Sequence, residues 1–285
     1  MDTPPVSVED KVALGALLTA TGIGLAPFAA LVARRIVPER RVFFARWGFT
    51  HLVRLVLVWL LSSLAVGLLW PVAEEGEPGL LEAFARMGLS YVPVLYYLVR
   101  LARQTEPDPR VSLGFERGGG LRAVVLGVVV YAMLVPGLFG VTVLWPTLLE
   151  ALGESVEPQE ILVGFFELEG AALALAIFGG VVVVPFIEEL LFRGFLQPLL
   201  VQNFRDRGGV VLTSGLFGVL HGQTAFLPIF ALSLILGGVM LRTRRLAGAW
   251  AVHALHNGLM LGLAFAVPEM REFGTEAVFP FLSWR

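Results

Sequence analysis

The 285-residue chain has no cysteine. That excludes disulfides, thiolate metal ligands and a cysteine nucleophile. Charge is also scarce: only 15% of residues are charged, and the formal net charge is −2. The total therefore says nothing about nucleic acid, and no nucleic-acid partner is expected. The four aspartates, Asp2, Asp10, Asp108 and Asp206, all lie in termini or loops, so an intramembrane aspartyl dyad is not available. No histidine is followed by glutamate, which removes the H-E-x-x-H zinc helix, and no G-x-S-x-G elbow occurs. Residues 1–11 are net acidic and lack the basic start of a signal peptide. The first apolar stretch is too long for a cleaved segment and reads as a retained span. No soluble domain, low-complexity linker or internal repeat stands out.

What the chain has in abundance is apolar sequence. Hydrophobic residues make up 56% of it, and the mean hydropathy is +0.79. The expected fold is all-α, a polytopic transmembrane helical bundle of about eight spans with a polar cavity in the membrane, since about 20 apolar residues suffice for one crossing. The runs fall at residues 12–33, 50–72, 84–101, 121–149, 170–204, 209–227, 228–241 and 246–267. Pro136 and Pro146 are expected to break the fourth, and Pro185 to kink the overlong fifth. Gly258 and Gly262 form a small-xxx-small pair that can help helices pack.

The loops alternate in charge. Arg34, Arg35, Arg40, Arg41 and Arg46 follow the first run; Glu74, Glu75, Glu77 and Glu82 follow the second. Arg100, Arg103, Arg110, Arg117 and Arg122 follow the third; Glu150, Glu154, Glu157, Glu160, Glu167 and Glu169 follow the fourth. Arg205 and Arg207 end the fifth, and Arg242, Arg244 and Arg245 close the seventh. Arginine excess marks the cytoplasmic side. Eight crossings would put every arginine-rich loop inside and both termini outside, in an integral protein of, as expected, a bacterial plasma membrane.

Ionisable groups inside these runs are few and gathered. Glu188, Glu189 and Arg193 lie on the fifth run, His221 on the sixth, and His253, His256 and Asn257 on the eighth. Such groups are costly in a bilayer and face a protein interior or wet cavity. Glu189 and Arg193 are four apart and can pair on one helix face, which leaves Glu188 free for chemistry. His253 and Asn257 are also four apart. The chain has four histidines, three of them here, and His51 reads as interfacial. A lone buried histidine or asparagine is more often helix-to-helix glue than a catalyst, and His256 reads as packing. Together, carboxylate, imidazole and amide are parts for activating water and stabilising an oxyanion. Glu188 can act as base with His221 sharing the proton, while His253 and Asn257 donate to the oxyanion. Equally, Glu188, His221 and His253 can hold a divalent, zinc-like ion with an open water position.

The three motifs resemble those of the CPBP group of intramembrane proteases. That group includes the type II CAAX prenyl endopeptidases and the bacteriocin-processing or self-immunity proteins called Abi. E-E-x-x-x-R is Glu188 to Arg193, followed by Gly194; F-x-x-x-H is Phe217 to His221; H-x-x-x-N is His253 to Asn257. The resemblance spans residues 170–263 and implies a conical helical protease with a cavity open toward cytosol and bilayer. It implies that Glu188 and His221 activate water, that His253 and Asn257 hold the oxyanion, and that Glu189 and Arg193 support the site. It leaves the metal question open and gives His256 no part. Residues 1–164 are then subgroup-specific membrane helices, 165–267 the catalytic core and 268–285 a tail.

The expected partners are membrane lipid and a membrane-associated peptide or protein substrate, CAAX-like or of leader or bacteriocin type. Two rivals differ in class. One is a non-catalytic immunity or scaffold protein, disfavoured because every motif residue is present. The other is a proton-coupled transporter, disfavoured by the lack of repeated halves.

Overall fold

A computed structural model of the chain describes residues 7–37, 46–71, 79–105, 109–115, 118–154, 156 and 164–266. These residues are helical, with no strand among them. We number the helices α1 (Val8–Ile36), α2 (Phe49–Leu69), α3 (Leu80–Thr105), α4 (Pro109–Ser112) and α5 (Gly120–Ala151), then α6 (Gly170–Phe178), α7 (Val184–Glu189), α8 (Gln197–Val219), α9 (Phe226–Thr243) and α10 (Leu246–Ala266). Caps mark several ends. The Ser7 hydroxyl oxygen accepts from the Asp10 amide at 3.1 Å to start α1. Arg34 and Arg35 sit in its last turn, where the helix dipole favours cations. α9 ends on Arg244 in the left-handed region, its amide donating to the Met240 carbonyl at 2.8 Å.

In a bilayer, helices associate through close packing and interhelical hydrogen bonds, because lipid is as apolar as leucine. α1 packs along α5, α5 on α9 and α10, α9 on α8, and α2 on α3. Gly22 and Gly137 meet backbone to backbone where α1 crosses α5, with no room for a Cβ on either. Val94 and Leu98 of α3, Ile187, Leu199, Phe217, Leu232 and Leu236 form the main core. The outer faces of α1 and α2 expose leucines to the surroundings, the arrangement lipid contact calls for.

Between α6 and α8 the chain never leaves a helical path but changes its winding. Residues Gly179–Val183 and Leu190–Leu196 are π-helical and flank α7. Such wide turns are rare and cluster at functional sites. Pro185 sits where the first π-turn runs into α7, so its missing N–H falls at the change of winding. The chain doubles back at Arg205 (φ 61°, ψ 173°), bringing Gly209 against Val201. That reversal separates the fifth and sixth runs of the sequence.

Three expectations change. Pro136 and Pro146 do not break the fourth run: α5 is one helix of 32 residues, held through both prolines by α1, α9 and α10 packed around it. His221 is not inside a helix but in the turn after α8. The count of about eight spans is not reached by length and apolarity. Five helical stretches among the described residues qualify, one of them the 50-residue path from Gly170 to Val219. α3 falls short through Glu82, Arg86, Arg100 and Arg103, and α10 through its histidines and Asn257. Of the small-residue pair, Gly258 faces Val181 and Gly262 faces open space.

The loop charges at Glu39, Arg40, Arg41, Glu74, Glu75, Glu77, Arg117, Glu157 and Glu160, together with Asp2, Asp108 and the tail 268–285, lie outside the described residues.

Candidate active site

α7 and the π-turn after it deliver three charged side chains to the interior. Glu188 is 4% exposed, and Glu189 and Arg193 are fully buried. The expected pair forms: Arg193 Nη1 donates to Glu189 Oε1 at 2.9 Å. The same Oε1 accepts from His253 Nδ1 at 2.9 Å, across 64 residues of sequence. Arg193 Nη2 donates to Ser233 Oγ on α9 at 2.7 Å, and its guanidinium lies 4.5 Å from the centre of the Phe217 ring. One turn on, Gln197 Nε2 donates to the Gly237 carbonyl at 2.9 Å. A Cβ on Gly237 would stand 2.9 Å from Val210 Cγ1 and 3.2 Å from Gln197 Oε1, so the approach depends on glycine. Glu189 thus links the first and third motifs, and α9 supplies the remaining partners of the buried cation.

The hydrogen bonds fix the histidine tautomers. Glu189 sits against a guanidinium and is an acceptor, so His253 Nδ1 carries a proton. His253 Nε2 then points toward Glu188, 3.5 Å from its Oε2. His221 Nδ1 lies 2.5 Å from the Phe217 carbonyl, so it too is the protonated nitrogen. That leaves the lone pair on His221 Nε2. The Phe217 ring is wedged between the two imidazoles, 4.2 Å from His221 and 5.8 Å from His253, centre to centre. The phenylalanine of the second motif therefore spaces the histidines of the second and third.

The π-turns also expose carbonyls that side chains capture. Asn257 Nδ2 donates to the Gly180 carbonyl at 3.1 Å and Trp250 Nε1 to Val182 at 3.0 Å, both on the first π-turn. Trp47 Nε1 donates to Phe195 on the second at 2.9 Å. Asn257 keeps one N–H for other work, and its buried Oδ1 has no hydrogen-bond partner. His256, adjacent in sequence, turns to α5 and meets the Tyr131 hydroxyl through Nδ1 at 3.0 Å. The contact joins α10 to α5.

A metal fits less readily. Among the described residues no group of three His, Cys, Asp or Glu side chains is placed to hold an ion. Glu188, His221 and His253 are therefore not a ready-made ligand set.

Several neighbours of the site carried no motif signal: Ser233, Tyr131, Trp47, and Tyr91 of α3, buried in the core within electrostatic reach of Glu188. Tyr and Trp are rare here, four and six in the chain. An indole or phenol in an apolar run usually needs a polar partner, which was the one available hint.

Comparison with known families adds the decisive fact. Residues 170–259 match the protein family described as Type II CAAX prenyl endopeptidase Rce1-like. Over those residues the chain is similar to that family. The match contains all three motifs and lies within α6 to α10. No curated protein and no solved structure matches the chain. The name of the matched family is that of an endopeptidase, so the likeness points to proteolysis as the reaction class.

Proposed function

We propose that this protein hydrolyses a peptide bond of a membrane-associated substrate by water activated at Glu188 and His221. The observation that carries the reading is the double use of Glu189 Oε1. By holding Arg193 and His253 Nδ1 at 2.9 Å each, it orients His253 so that Nε2 faces Glu188. A base and an electrophilic ring then face one interior, oriented by a third, charge-paired group, as acyl-transfer sites require.

In this reading Glu188 takes one proton from water, and His221 shares it through Nε2, the nitrogen turned away from the Phe217 carbonyl. The hydroxide attacks the carbonyl carbon, and the π-electrons move to oxygen. His253 can donate to that oxyanion only when both ring nitrogens are protonated, and Glu189 at Nδ1 supplies the counter-charge. The second N–H of Asn257 is the other donor. Collapse of the tetrahedral intermediate breaks the C–N bond, and the proton held by Glu188 and His221 passes to the leaving amine.

The substrate is assigned only by class: an apolar or lipidated segment cut near its end, CAAX-like or of leader type. The test is a panel of prenylated and unprenylated membrane peptides incubated with protein in liposomes, with and without chelator. Cleavage that survives chelation is expected. Cleavage lost to chelator and restored by zinc would replace the glutamate–histidine mechanism with a metal one. No cleavage of any peptide, alongside retained binding of one, would move the assignment to a non-catalytic immunity or scaffold protein.

A further inference from the structure

The residue that places His221 lies outside the family match. His221 is on the turn at residues 220–225, where Gly222 has φ +83°, a conformation that suits glycine. A turn between two membrane helices has little to hold it unless its carbonyls find partners. α5 provides one: Trp145 Nε1 donates to the Gln223 carbonyl at 2.9 Å, two residues beyond His221. The Trp145 ring also packs against Phe226 at the start of α9, centroids 6.4 Å apart, and Phe226 stacks on Phe230 at 6.0 Å. The other end of the turn is set by the contact of His221 Nδ1 with the Phe217 carbonyl.

We propose that Trp145 is a positioning residue for His221, fixing where its Nε2 stands relative to Glu188. The proposal rests on the proteolytic reading for its kinetic consequence, though not for its geometric one. The indole is the third to clamp an irregular piece of the site's backbone, after Trp250 and Trp47 on the two π-turns. It alone acts on the turn that bears a histidine of the motifs. A ring displaced by a fraction of an ångström loses much of its rate advantage while substrate binding elsewhere is untouched.

The test compares wild type, Trp145→Phe and Trp145→His in liposomes. Phenylalanine keeps an apolar ring and loses the donor; histidine keeps a ring N–H. Two readouts are taken. The first is the rate of histidine modification by diethyl pyrocarbonate, followed residue by residue by mass spectrometry. His221 is 4% exposed and His253 3% in the intact protein. In Trp145→Phe, His221 should label several-fold faster while His253 and His256 keep their wild-type rates, and Trp145→His should restore protection in part. The second is cleavage of a membrane peptide: kcat should fall about tenfold or more with KM within about twofold. Unchanged His221 labelling in Trp145→Phe overturns the proposal. So does equal loosening of all three buried histidines, which would mean general destabilisation. If wild type cleaves nothing while His221 labelling responds as expected, the positioning holds and the proteolytic reading is what fails.

Discussion

Replacing Glu189 by glutamine is the sharpest perturbation of the site. The side chain is fully buried and its shape is nearly conserved in Gln, so what changes is charge. In the native protein one carboxylate oxygen accepts from Arg193 and His253 at 2.9 Å each. Hydrogen bonds to charged groups contribute about 1.5–3 kcal/mol and neutral ones about 0.5–1.5 kcal/mol. Two bonds weakened by roughly 1 kcal/mol each give about 2 kcal/mol from this source. Arg193 remains buried with its Ser233 contact but without its hydrogen-bonded carboxylate, and breaking a buried pair from one side costs about 3–5 kcal/mol. Set against a domain stability of about 5–15 kcal/mol, thermal unfolding in detergent, followed by tryptophan fluorescence, should shift downward by several degrees. Cleavage should suffer separately, because the acceptor that orients His253 Nδ1 loses its charge, and with it the counter-charge to the ring. A loss of about 2 kcal/mol there corresponds to about a 30-fold fall in kcat/KM. Glu189→Ala should be worse on both counts, and Arg193→Ala should lower stability by leaving the carboxylate unpaired. A Glu189→Gln protein with wild-type melting and wild-type kcat/KM would refute the reasoning, since the bridging oxygen would then be an accident of packing.

Further outcomes follow from the same contacts. His221→Ala removes the imidazole proposed to share the proton with Glu188 and should lower kcat by about 10²–10⁴-fold, the usual worth of a general base, with melting little changed; circular dichroism and a kinetic assay check both. Asn257→Ala removes the proposed oxyanion donor and the hydrogen bond to the Gly180 carbonyl, and should cost about 10²–10³ in kcat plus a drop in melting temperature. Gly237→Ala puts a methyl 3.2 Å from Gln197 Oε1. It should destabilise the protein by about 1–3 kcal/mol, as overpacking does, with kcat of the folded fraction nearly unchanged.

Part of this site is legible in one dimension. Glu188, Glu189, Arg193, His253 and Asn257 stand out because each is polar in an apolar run, and spacing alone predicts the Glu189–Arg193 pair. The link from Glu189 to His253 is not legible. Nothing local ties residues 64 apart, and helical spacing offered Glu189 a partner that already satisfied it. Winding is hidden too. Hydropathy reads Val181, Val182 and Val183 alike in an α-helix or a π-helix, so the carbonyls offered to Asn257 and Trp250 have no sequence signature. His221 was expected inside a helix because the residues around it are apolar; the turn comes from Gly222 and from Trp145, which is 76 positions upstream. For α5 the error ran the other way. Prolines break an isolated helix, but Pro136 and Pro146 sit in one that α1, α9 and α10 hold from several sides.

The account stands most directly on Glu188. Purified wild type and Glu188→Gln, matched for melting temperature and reconstituted in liposomes, should be given the same membrane peptide under single-turnover conditions, with the products read by mass spectrometry. Cleavage at one peptide bond by wild type and a fall of at least about 10²-fold in the variant is the predicted result. Equal cleavage by the two proteins would contradict the claim that this buried carboxylate activates water.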